Sequence, residues 1–309
     1  MASDEASAGA SGGGPVTGIV AAMEEEVVGV QARMVDARPV FLRGGRITLG
    51  WLGGARVALA VTGDGQRNAR RGLAGLLAAQ PLDRLIVVGV AGGLSPTLDV
   101  GTLVIGCRAI SEADGSVHGA DAKLVEVAAL ACGAERGVAV TATRIADTVD
   151  EKRRLLSLAT ATLAGDQNRS RLSAVVDLET AAFAAAATRA DLPWMVLRAV
   201  SDTAADSVPA LLNRSRDDGG AVRRARVVRY LLTDPRALLP LLELRERVRT
   251  CASRLAEAVE STMRGLRAAD AVSVPVRSSD AGVALDAGPG AAQRKGRRDL
   301  DGDRSRKVR

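Results

Sequence analysis

Short apolar runs alternate with stretches of helical length along most of this chain, and that alternation constrains the fold more than any other feature. GIVAA (18–22), ARVALAV (55–61), LIVVGV (85–90), VGTLVIG (100–106), GVAVTA (137–142), AVVDL (174–178) and WMVLRAV (194–200) read as strands. Such runs are too short for buried helices and rich in branched residues, so they suit a sheet covered on both faces. Helices are predicted from the acidic triplet at 24–26, from the Gly63-Asp64-Gly65 turn to about residue 79, and over 121–132, 150–163 and 179–190. A hairpin is expected across Gly53-Gly54, joining 47–52 to 56–62. Alternating strands and helices imply a layered α/β domain with helices on both faces of its sheet. Leu238, Leu241, Leu242, Leu244, Val248, Leu255 and Val259 recur near helical spacing, so 221–233 and 236–268 are read as further helices, beyond a polar loop at 213–220.

The ends differ from the body. Residues 1–15 are Gly-, Ala- and Ser-rich and are expected to be disordered, as are 269–309; the folded domain is assigned to 16–268. The net charge of +6 is concentrated at the end: residues 291–309 hold eight basic and three acidic side chains, a net +5, leaving about +1 for the rest. Only 2% of the residues are aromatic, which argues against a stacking platform for nucleic acid. A nucleic-acid binder acting through the basic tail remains a rival reading, with strongly salt-dependent affinity as its mark.

Cys107, Cys132 and Cys251 are far apart and His118 is the lone histidine, in a polar loop, so no zinc or disulfide pattern is present. No apolar run reaches the ~18 residues of a membrane span, and the first residues lack a secretory pattern. The expected location is therefore cytoplasmic.

Chemistry-bearing residues cluster at strand ends, where open α/β sheets bind ligands. Asp177 and Glu179 bracket the junction of a strand and an alanine-rich helix, and Ser201-Asp202 ends the next strand. Glu179 could instead cap its helix, Ser201-Asp202 could form an N-cap, and the triplet Glu24-Glu25-Glu26 could be a solvated helix start. The turn Gly89-Val90-Ala91-Gly92-Gly93 lacks GxGxxG spacing and no helix follows it directly, so no dinucleotide cofactor is expected. A turn that brings bare backbone close to a ligand fits better. Carboxylates at three strand ends, each beside small residues, suggest a pocket for a sugar and a base.

GIVAAMEEEV (18–27), VVGVAGGLSPTLDVGTLVIG (87–106), VVDLETAAFA (175–184) and LPWMVLRAVSDTAAD (192–206) resemble, in that order, signature segments of the methylthioadenosine/S-adenosylhomocysteine nucleosidases, within the nucleoside phosphorylase superfamily. The GVAGGL turn, the VDLE segment and the helical end are more similar to a subgroup that includes the hopanoid-associated phosphorylases. The resemblance implies a three-layer α/β/α fold with a mixed central sheet, and cleavage of the N-glycosidic bond of a purine nucleoside. It implies that Glu26 activates the attacking water and that Asp202, placed by Ser201, protonates the purine at N7. Glu179 would bind the ribose hydroxyls, with Leu178 beneath the sugar, Ala91 and Gly92 near the ribose, and Ile145 beside the base. No cofactor or metal is implied; phosphate could serve as co-substrate, and a homodimer is expected.

The departures from that pattern matter. Val90 stands where the family often has serine, and Val87 where hexameric phosphorylases carry a phosphate-binding arginine. Arg67, Arg70 and Arg71 could supply phosphate contacts or form a solvated helix face. Arg144-Ile145 replaces an aromatic-aliphatic pair beside the base. These changes leave a second reading open, a nucleoside-binding protein with an eroded site.

Overall fold

The computed structural model describes residues 14–42, 45–164, 173–217, 224–233 and 235–273. Of the tails assigned to 1–15 and 269–309, residues 1–13 and 274–309 lie outside the described residues, while 269–273 are not a tail but the end of the long C-terminal helix. The chain runs β1 (Val16–Ala21), α1 (Glu24–Ala32), β2 (Val35–Leu42), β3 (Gly45–Leu52), β4 (Ala55–Val61), α2 (Gln66–Ala79), β5 (Arg84–Gly93), β6 (Leu103–Ser111) and β7 (Val117–Gly119). It continues through α3 (Ala122–Cys132), β8 (Glu135–Thr141), α4 (Val149–Thr162), β9 (Ser173–Asp177), α5 (Thr180–Arg189), β10 (Trp194–Asp202), α6 (Leu211–Arg214), α7 (Arg224–Thr233) and α8 (Leu238–Ser273).

All ten strands join one mixed sheet, ordered β10-β6-β8-β9-β5-β1-β4-β3-β2, with β7 on β6 and a further pairing of β10 with β5. The last pairing closes β5, β10, β6, β8 and β9 into a ring. Helices α1, α3 and α8 cover one face through Val27, Val30, Leu124, Ala128, Leu255 and Val259, packed on Ile19, Ile86, Met195 and Leu197. Helices α2 and α5 cover the other with Leu73, Leu76, Phe183 and Ala187, and α4 sits over β8 and β9 through Leu155 and Ala159. This is the expected three-layer α/β/α arrangement with a mixed sheet.

Local signals account for several boundaries. The Asp121 carboxylate accepts from Leu124 N–H to start α3, and Gly133, at φ 64°, ends it in the left-handed conformation. Thr148 caps α4 by accepting from Glu151 N–H. β2 was not foreseen: VDARPVFL holds a proline and charges, is mostly exposed, and forms the sheet's outer edge, where proline is tolerated. His118 lies on the short strand β7 rather than in a loop, and Ala91–Gly93 continue β5 instead of leaving it in a turn. Part of the expected loop 213–220 is helical, since α6 takes in Asn213 and Arg214.

The C-terminal helix is part of the core rather than an appendage. Cys251, Leu255, Ala256, Val259 and Met263 are fully buried between α1, α3 and the sheet. The far end of α8 is pinned by Arg84 at the start of β5, whose guanidinium donates to both oxygens of Asp270 (3.0 and 2.5 Å) and to Thr17 Oγ1 (2.8 Å). Among the described residues, no helix is long and apolar enough to cross a membrane.

Candidate active site

The register of β5 explains where the chemistry sits. Its parallel pairing with β1 stops at Val87, and its antiparallel pairing with β9 involves only Gly92 and Gly93. Between them a backbone donor on that edge needs another acceptor, because a buried N–H left unpaired is costly. Glu26 supplies it: Oε1 accepts from Val90 N–H (3.0 Å), while Oε2 accepts from Ala22 N–H (3.1 Å) and Met23 N–H (2.9 Å). Of the acidic triplet, Glu24 and Glu25 face solvent and Glu26 is buried. Burial pushes the Glu26 carboxyl above its ordinary 4.5, opposed by the nearby Arg198 charge and the backbone donors.

Arg198 organises the floor. It lies within the wholly buried strand β10, where a charge must have partners. Nη2 donates to Asp177 Oδ2 (2.5 Å) and Thr180 Oγ1 (2.7 Å). Asp177 also accepts from Thr141 Oγ1 (2.8 Å) and Thr180 N–H (3.2 Å), which ties the end of β9 to β8 and the start of α5. Gly89 makes room for this: a Cβ there would lie 2.0 Å from Arg198 Nη1 and 2.6 Å from Glu26 Oε1.

Glu179 occupies the N-cap position of α5 but makes no capping bond. Its Oε1 instead reaches across to accept from Gly65 N–H at 2.7 Å, in the turn after β4. Burial first, then the charge of Asp177, push its carboxyl from 4.5 up to about 8. A carboxyl raised on folding holds a proton that the unfolded chain has released, so its stabilisation is present at low pH and is lost as pH rises from 4.5 through about 8. Thermal unfolding between pH 5 and 8.5 should therefore show a falling Tm with rising pH, and Glu179→Gln should flatten part of that slope. An identical slope in the variant would mean that Glu179 is ordinary in the folded state.

Ser201 and Asp202 end β10 beside β5. The Ser201 hydroxyl donates to Asp202 Oδ1 (2.6 Å) and lies 3.3 Å from the Ala91 carbonyl oxygen. A Cβ on Gly92 would come within 3.0 Å of Asp202 Oδ2, so the small residue allows the close approach. Thus Glu26, Ala91, Gly92, Glu179, Ser201 and Asp202 gather around neighbouring strand ends. Leu178 is half-buried against the β8–β9–α4 cluster. Ile145 is half-buried in the loop before α4, and its backbone is bracketed by the Asn213 carboxamide, which accepts from its N–H (3.0 Å) and donates to its C=O (2.8 Å). Arg144 points outward and pairs with Glu151. Val87 is fully buried, and Arg67, Arg70 and Arg71 are exposed on α2. Among the described residues, no three His, Cys, Asp or Glu side chains are grouped to hold a metal.

Three side chains of the site escaped the sequence reading. Arg198 announces itself as a lone cation in an apolar strand. Lys152 falls in register with Leu155 and Ala159, three and seven residues on, which places it on the buried stripe of α4. Asn213 carried no comparable signal, since its partner is a backbone far along the chain.

A family model described as "Phosphorylase superfamily" matches residues 16–233. Solved structures share the fold at low identity. 5′-Methylthioadenosine/S-adenosylhomocysteine nucleosidase from Neisseria meningitidis is 21% identical with a TM-score of 0.63, over 81% of this chain and 99% of that one. S-adenosylhomocysteine nucleosidase from Streptococcus pyogenes is 20% identical, TM-score 0.64, over 82% and 98%. Futalosine hydrolase of Helicobacter pylori is 16% identical, TM-score 0.61, over 80% and 97%.

Proposed function

The chain belongs to the phosphorylase superfamily, and on that premise we propose that it cleaves the N-glycosidic bond of a purine nucleoside, using water as the nucleophile. The observation that carries this is the buried trio of Glu26, Glu179 and Asp202 at the ends of β1, β9 and β10. Breaking C1′–N9 builds positive charge on the sugar and leaves an electron pair on the purine. Glu26 takes a proton from the attacking water and offsets the sugar's charge, while Asp202 delivers a proton to N7 as the base departs. Glu179 holds the ribose hydroxyls, with Leu178 below the ring and Ala91 and Gly92 beside it. Ser201 orients Asp202, and the Ile145 segment lines the base side.

Water is favoured over phosphate because Arg67, Arg70 and Arg71 face solvent on α2, and Val87 is sealed inside the sheet. The finer reading is a 5′-substituted adenosine as substrate. A second copy of the chain would close the 5′ side against the exposed Leu238, Leu239 and Leu242 of α8. A panel of purine nucleosides, with and without phosphate, read by chromatography, tests the reaction. Free adenine and an unphosphorylated sugar are expected, best from 5′-alkylthio substrates, with a dimer mass in solution. Release of no base from any purine nucleoside would refute catalysis, and adenine analogues that raise Tm without turnover would point to the eroded binding protein.

A further inference from the structure

A buried lysine stands directly behind the proposed acid. Lys152, on α4, is 1% exposed. Its Nζ lies 2.5 Å from Asp202 Oδ2, 2.5 Å from the Thr203 carbonyl oxygen and 3.0 Å from the Asp206 carbonyl oxygen. Three acceptors match the three N–H donors of an ammonium; a neutral amine has only two and could not satisfy them all. On the other side, Oδ1 of Asp202 accepts from Ser201 and Oδ2 from Lys152, which is the pattern of an ionised carboxylate. The proton that the leaving purine needs is therefore held on the lysine before reaction.

We propose that Lys152 is a positioning residue that stores this proton and delivers it through Asp202 to the departing base. The inference rests on the nucleosidase reading and deepens it. As C1′–N9 breaks, its electron pair goes to the purine. The Lys152 ammonium passes a proton to the ionised Asp202, which hands it on to N7, so the amine is left neutral and Asp202 is ionised as before. That amine is protonated again from solvent after the base has left. A plain strut for the loop after β10 would need no transferable proton, so the two roles separate experimentally.

Among the described residues, the groups facing the pair are few. Asp202 comes from β10. Asp206 belongs to the loop after it and is paired with Arg247 of α8 at 3.1 Å. Cys251 of α8 donates to the Val200 carbonyl oxygen, and its thiol is pushed up chiefly by burial. On α4 itself, Glu151 is engaged by Arg144.

The test compares 5′-methylthioadenosine with p-nitrophenyl β-D-riboside, whose leaving group departs without a proton. Lys152→Gln is expected to lower kcat on the purine nucleoside by about 100-fold or more, with KM within threefold, and to leave the nitrophenyl riboside within threefold of the parent. Lys152→Arg keeps a cation that does not give up its proton, and it should show the same selective loss. In the parent, kcat on the purine nucleoside should fall toward high pH while that on the nitrophenyl riboside stays level.

Equal losses on both substrates would make Lys152 structural and overturn the proposal, as would a Lys152→Arg enzyme with parental kcat on the purine nucleoside. If Lys152→Gln fails to fold, Lys152→Arg and the parent's pH profile decide. If the parent cleaves only the purine nucleoside, Lys152→Arg decides. A parent that cleaves neither substrate removes the glycosidic reading itself, and the lysine's role falls with it.

Discussion

Replacing Glu26 by glutamine should lower base release by about 10²–10⁴-fold, while KM for a 5′-substituted adenosine changes by no more than a few-fold. The side chain keeps its size and position, so the protein should still fold and bind. What disappears is the capacity to take a proton from water, an effect of that order for a positioned base. The amide cannot copy the carboxylate's bonds. Its carbonyl oxygen can accept from Ala22 and Met23, which leaves the NH₂ against the Val90 N–H, donor facing donor. That mismatch costs about 1–3 kcal/mol, partly offset because a buried charge has been removed. In the parent, the acidic limb of kcat/KM should lie above pH 4.5, since burial raises this carboxyl and activity requires it ionised. Steady-state kinetics with circular dichroism on the same samples check both parts. A variant with the parental rate would show that Glu26 is a strand-end cap and nothing more.

Arg198→Met should have the largest effect on stability, about 3–5 kcal/mol, because removing one partner of a buried ion pair leaves the other uncompensated. Here three acids lose their counter-charge together, since Asp177, Glu26 and Glu179 all act on the same guanidinium. Without it the folded-state carboxyls of Glu26 and Glu179 move further up, so folding must take up protons. Stability gained that way is present at low pH and lost as pH rises. The Tm deficit relative to the parent should therefore be smaller at pH 5 than at pH 8. A deficit that does not vary with pH would mean that Arg198 contributes by packing alone.

The layered fold was legible because each inner strand is a continuous apolar run and each covering helix carries a periodic stripe. Edge strand β2 was not, since an exposed strand with a proline has no reason to alternate cleanly. The end of β5 was misread because glycines suggest a turn, whereas Gly89 and Gly92 are small so that Arg198, Glu26 and Asp202 can press against an extended backbone. Glu26, Glu179 and Asp202 could be picked out as acids at strand ends. Their supports could not be, because Gly65 lies 114 residues before Glu179 and Lys152 lies 50 before Asp202. Such pairings are products of topology rather than of local pattern. The periodic leucines of the C-terminal helix made it legible as a helix with an apolar face, and its middle packs into the core.

The ring of strands also has a weakest link. Most neighbouring strands share four or more residue pairs, but β5 and β9 share two, Gly92 with Val176 and Gly93 with Val175. Amide exchange follows the cost of local opening, and a short seam between small residues opens at lower cost than the long ladders around it. Asp177 follows Val176 directly, and Gly92 lies against Asp202. The place where the barrel breathes most readily is thus the place where it carries its acids, and a ligand seated there would hold the two lips of that seam together.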